Sequence, residues 1–128
     1  MRIESHRASF EVHKRALFKW ALEEEGLENA QIIVGLHASR GIIELLSILL
    51  HTKNIIDEGF QINHRWFKSN KVREKFPEFK NKETIIAKMV ELENLCETLA
   101  YGTEKPIEKT EEAIKLFKEL EDILTGML

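Results

Sequence analysis

Apolar residues recur along this chain every third or fourth position and never alternate over a sustained run, a pattern that predicts helices and leaves a sheet little to draw on. Phe10, Val12, Leu17, Trp20 and Ala21 keep that spacing until Gly26, which predicts a first helix over roughly residues 8–25, opened by Ser9 or an earlier residue. A second helix covers "LENAQIIVGLHASRGIIELLSILLHTKN" and ends near Lys53 or Asn54; its apolar arc is wide, so it should be the most buried of the set. Residues 55–82 break the rhythm. Phe60, Trp66, Phe67, Phe76 and Phe79 are scattered among Asn63, Asn70 and Pro77, which reads as one or two short helices plus loop. Asn81 then stands as the cap of a third helix whose Ile85, Met89, Leu92, Leu95, Cys96 and Leu99 mark one face before Gly102. "TEKPIEKTEEAIKLFKELEDIL" supplies the last helix, with Pro106 and an acidic first turn as start signals. The expected fold is all-α: a single domain over residues 1–128, an elaborated four-helix up-and-down bundle with one or two extra short helices after helix 2.

Composition narrows the chemistry. The net charge of -3 gives no global basic field of the kind that drives non-specific nucleic-acid binding. Cys96 is the only cysteine, so neither an intrachain disulfide nor a cysteine-based zinc site can form. The five histidines show no His-x-x-x-His or HExxH spacing, and there is no Gly-rich phosphate loop, so neither metal nor cofactor is expected. The polar N-terminus lacks the apolar centre of a signal peptide, and the longest apolar run, "LLSILL", falls far short of the roughly 20 residues of a membrane span. A cytoplasmic location without membrane contact is the expectation.

Within the apolar second helix, His37, Arg40, Glu44, Ser47 and His51 fall on one line, because steps of three and four stay on a face. Three readings of that row are open: the solvent edge of a core helix, a ligand-facing or subunit interface, or a reactive centre. Beside it Ala30, Val34, Ala38, Gly41 and Ile42 would permit close approach of another helix. A second candidate is "NHRWFKSNKVREKF", where Arg65, Lys68, Lys71 and Arg73 alternate with Trp66 and Phe67. Basic groups can neutralise phosphates while aromatic faces stack on unpaired bases, or the aromatics can cover the core while the charges are solvated.

The layout resembles the HEPN superfamily of small helical nucleotide-binding proteins. The likeness lies in "ALEEEGLENAQIIVGLHASRGIIELLSILL", in the irregular middle connection and in "LAYGTEKPIEKTEEAIKLFKELEDIL", together about residues 10–125. It implies a homodimer that is either a metal-independent RNase, often a toxin, or a non-catalytic module accompanying a minimal nucleotidyltransferase. Catalytic members carry Arg, four to six residues, then His, downstream of the first two long helices. Here no His follows His64, and the one spacing match, Arg7 to His13, lies at the N-terminus. The family's modified tyrosine after that His has no counterpart either, since the only Tyr is Tyr101. The resemblance therefore implies a non-catalytic dimeric module for a nucleotidyltransferase partner or a nucleotide or RNA ligand. An RNase with a displaced constellation drawn from Arg7, His13, His37 and Arg40, and a helical interaction module of unrelated kind, are the alternatives.

Overall fold

Four long helices carry the fold in the computed structural model, which describes residues 2–128, and no strand occurs among those residues. Helix α1 spans Ile3–Arg15 and runs on as a π-helix over Ala16–Glu25; α2 spans Gln31–Thr52, α3 Lys82–Ala100 and α4 Ile107–Met127. Three short 3₁₀ turns, Leu27–Asn29, His64–Lys68 and Asn70–Lys75, complete the set. The two later turns lie in the connection between α2 and α3, where the scattered aromatic residues predicted short helices.

Contacts between the helices set their directions. His6 and His13 near the start of the chain meet Glu44 and His37 of α2 in reverse order. Gly35 near the start of α2 lies against Ala100 at the end of α3. Asn81 reaches Met127, and Lys88 reaches Glu119. Successive helices are therefore antiparallel, an up-and-down bundle. Helix α2 is central, packed against α1, α3 and α4. Leu17, Ile42, Leu46, Leu92, Phe117 and Leu120 are among the side chains sealed from solvent, each contributing about 1.5–3 kcal/mol of apolar burial. By length and hydropathy α2 could cross a membrane, but 67% of its most apolar stretch is buried within the bundle, so core packing accounts for its composition.

Several boundaries differ from the periodicity. Helix α1 starts at Ile3 rather than residue 8, because His6 is buried by polar contacts that an apolar pattern does not register. Helix α2 starts at Gln31, the preceding Leu27–Asn29 being a 3₁₀ turn set off by Gly26 at φ 85°. Asn81 precedes α3 in the left-handed region, at φ 63°, and its side chain makes no capping bond. Pro106 keeps an extended ψ of 143° just outside α4, which opens at Ile107 and continues to Met127, beyond Leu124. Close approach to α2 is tightest at Gly35. A Cβ there would lie 2.5 Å from the Ala100 backbone nitrogen, so the glycine sets how near α3 can come.

Candidate functional site

Because α2 is continuous, His37, Arg40, Glu44, Ser47 and His51 do share a face, but its two ends meet different surroundings. Toward the C-terminus α1 lies over the row. Glu44 Oε2 and His6 Nδ1 are 2.6 Å apart, and the His6 ring stacks on His51 at 5.4 Å. Ser47 Oγ donates to the Ile43 carbonyl at 2.9 Å, the local bond open to a hydroxyl inside a helix. Ser47, His51 and His6 are all buried. Burial, and then the adjacent His6, lowers the pKa of His51.

Toward the N-terminus the row opens. His13 Nδ1 and His37 Nδ1 lie 2.9 Å apart, so one ring donates and the other accepts. Burial, then His37 and Arg40, pulls the His13 pKa down to about 4; burial, then Arg40, lowers that of His37. Both rings are therefore neutral at pH 7. Arg40 donates to the Leu36 carbonyl at 3.3 Å. The half-exposed Trp20, carried by the π-helical turn, flanks His37 with ring centroids 6.3 Å apart.

The connection supplies the opposite wall. The Asn63 side chain accepts from the Arg65 backbone N–H at 2.9 Å, an Asx turn that starts the 3₁₀ segment and places His64 against α3. His64 Nδ1 lies 2.9 Å from Glu93 Oε2. A carboxylate only accepts, so His64 Nδ1 carries the proton of this bond. Glu93 is 4% exposed, and its Oε1 has no hydrogen-bond partner. Such an orphaned acceptor costs about 1–3 kcal/mol, more when charged.

Two cavities meet here and share Arg40, His64 and Arg65. The first, about 240 Å³, sinks between α2 and α3 to Gly35, Glu93 and Cys96, with Tyr101 at its edge. The second, about 510 Å³, extends toward α1 and includes His13, Glu44 and Trp66. Lys68, at the first cavity, has a carboxylate within reach, Glu97 at 3.7 Å. Arg40 and Arg65 have no ion-pair partner among the described residues. Two uncompensated guanidinium groups around one groove make a site suited to phosphate or carboxylate.

The structure thus brings Arg40 of α2 together with Arg65, Trp66 and Lys68 of the connection, with His37 behind through His13. Glu44 borders the groove but is engaged by His6, and Ser47 and His51 are enclosed under α1. Lys71 is exposed and lines neither cavity, and Arg73 pairs with Glu83 at 3.3 Å. Trp66 packs on Phe60 and Phe76, with the Lys75 ammonium 4.9 Å above its ring, so much of its stacking surface is occupied. Arg7 is exposed and lines neither cavity. Burial pushes the Cys96 thiol up to about 12, which leaves it unreactive. Among the described residues, no cluster of three His, Cys, Asp or Glu side chains could hold a metal ion.

Sequence reasoning missed the partnership of His64 with Glu93. The signal was present: Met89, Glu93 and Cys96 fall at helical spacing on the inner face of α3, so position 93 places a carboxylate where the pattern asks for an apolar residue. Against known proteins, no family model, no curated protein and no solved structure matches this chain.

Proposed function

We propose that the protein is a HEPN-like, non-catalytic helical module whose groove at the open end of α2 binds a phosphate-bearing ligand, a nucleotide or RNA, and that it acts as a homodimer beside a minimal nucleotidyltransferase. The observation that carries the ligand assignment is the pair of guanidinium groups, Arg40 and Arg65, without carboxylate partners around shared cavities. Arginine's planar fork is matched to phosphate oxygens, and a groove focuses its field despite the overall charge of -3. The dimer rests on the exposed apolar residues at the same end. Ile32 is 59% exposed, with Leu36 one turn on, Trp20 to one side and Tyr101 to the other.

Binding of a fluorescent single-stranded RNA in EDTA tests the ligand assignment. Affinity falls as salt rises, since phosphate contacts release counterions, and Arg65→Ala weakens it about tenfold at low salt, the loss of one charge-assisted contact. Absence of binding at low salt, or an unchanged affinity in both Arg40→Ala and Arg65→Ala, contradicts the assignment. Sedimentation of wild type and Ile32→Glu tests the dimer, which the charge should dissociate; a wild-type monomer contradicts it.

One observation favours a second reading, a metal-independent RNase: His13 and His37 are hydrogen-bonded and neutral beside Arg40. A pKa of about 4 makes His13 a weak base at pH 7, since a general base works best with a pKa near the working pH. That mismatch is why binding is the leading reading. RNA cleavage in EDTA that His13→Ala or His37→Ala abolishes would establish the second.

A further inference from the structure

The smaller cavity combines features that neither phosphate binding nor bundle packing requires. Its wall includes Glu93, a buried carboxylate with Oε2 fixed by His64 and Oε1 without a partner. Its rim carries Arg65 and the 64% exposed Tyr101, and Arg40 stands between this cavity and its neighbour. The volume, about 240 Å³, lies below the range of roughly 300–1,000 Å³ that encloses a drug-sized ligand. It suits one flat fragment with the rest of the ligand outside. An acceptor-only group buried in the wall, guanidinium at the mouth and an aromatic ring at the edge describe a site for a nucleobase whose phosphate stays at the rim.

The four bases differ in what they can offer a carboxylate. Guanine presents two adjacent donors, N1–H and N2–H, on its Watson–Crick edge. Adenine and cytosine place an acceptor beside their amino group, and uracil sets its single N–H between two carbonyls. A carboxylate repels each of those acceptors, whereas its four lone-pair sites accept both guanine donors even with one taken by His64. Resting on the nucleotide-binding reading above, we propose that the cavity between α2 and α3 reads guanine through Glu93, with His64 holding the carboxylate in place and Arg65 meeting the phosphate.

Titration calorimetry with guanosine, inosine, adenosine, cytidine and uridine 5′-monophosphates tests this. Guanosine monophosphate should bind wild type about 10- to 100-fold more tightly than adenosine monophosphate, the discrimination of a good two-donor contact. Inosine monophosphate, which lacks only the N2 amino group, should fall between them. Glu93→Gln, close to isosteric, should reduce guanosine to the level of the other nucleotides, with unchanged helical circular dichroism confirming its fold. Arg65→Ala should weaken all five by a similar factor and leave their ratios intact. Equal affinities in wild type, equal binding of inosine and guanosine, or a guanosine preference retained in Glu93→Gln would each overturn base reading while leaving the phosphate groove standing. Failure of every nucleotide and of RNA to bind would remove the groove itself.

Discussion

The two halves of α2 carry the same kind of polar row and put it to opposite uses. In the C-terminal half, Glu44 bonds His6 of α1, the His6 ring stacks on His51 and Ser47 bonds its own helix, while Nε2 of His6 and of His51 stay buried without a hydrogen-bond partner. In the N-terminal half, His37 bonds His13 of α1 and Arg40 lines both cavities without an ion-pair partner among the described residues. A polar group inside an apolar helix is therefore no guide to function until its partners are found. Orphaned buried atoms occur in both halves, so what marks the groove is the pair Arg40 and Arg65 around the shared cavities.

The largest expected effect comes from loosening the fastened half. Phe117 packs under both Phe10 and Phe18 and touches the position of Gly41, so Phe117→Ala should cost about 3–5 kcal/mol in urea unfolding. A loss below about 1 kcal/mol would mean that α1 is held elsewhere. Glu44→Ala should cost about 1–3 kcal/mol by stranding the buried His6, yet should not weaken nucleotide binding, since it removes a negative charge from the border of the groove. Impaired binding in that variant would dissolve the distinction between the halves.

Acid should act on both halves through their imidazoles. His13, His37 and His51 all have folded pKa values below 6.5, so between 6.5 and about 4 the unfolded chain binds more protons than the folded one. Stability should be full above pH 6.5 and decline as pH falls toward about 4. His13→Gln should shallow that decline, and an unfolding midpoint flat from pH 7 to 4.5 would contradict it. The smallest effect belongs to the surface. Lys14, its pKa raised chiefly by its hydrogen bond to Glu121, contributes stability that is present below 10.5 and lost above it. Lys14 is 40% exposed, so Lys14→Ala should cost less than about 1 kcal/mol.

What the sequence disclosed follows from what periodicity measures. Apolar spacing registers burial against apolar neighbours, so the four helices, the short turns after α2 and the central place of α2 were all legible. It does not register burial by polar pairing, which is why the start of α1 around His6 and the role of Glu93 were hidden. The row does share one face, but which of its members are paired depends on the side chains of α1 opposite them, His6 at Glu44 and His13 at His37, which periodicity does not place. Arg65 and Lys68 read as part of a basic stretch with Lys71 and Arg73; only the fold sorts the pair at the cavity from the pair away from it. Gly35 lay unremarked beside Val34, since a glycine's value is set by the Ala100 backbone it faces, 65 positions away.

The most direct test of the open groove is a residue-resolved NMR titration of the ¹⁵N-labelled protein with guanosine monophosphate and with a short single-stranded RNA. Shift changes should cluster at Arg40, His64, Arg65 and Tyr101 and leave Ser47 and His51 still. Shifts confined to Ser47, His51 and their neighbours, or none at millimolar ligand, would contradict the proposed groove at Arg40 and Arg65.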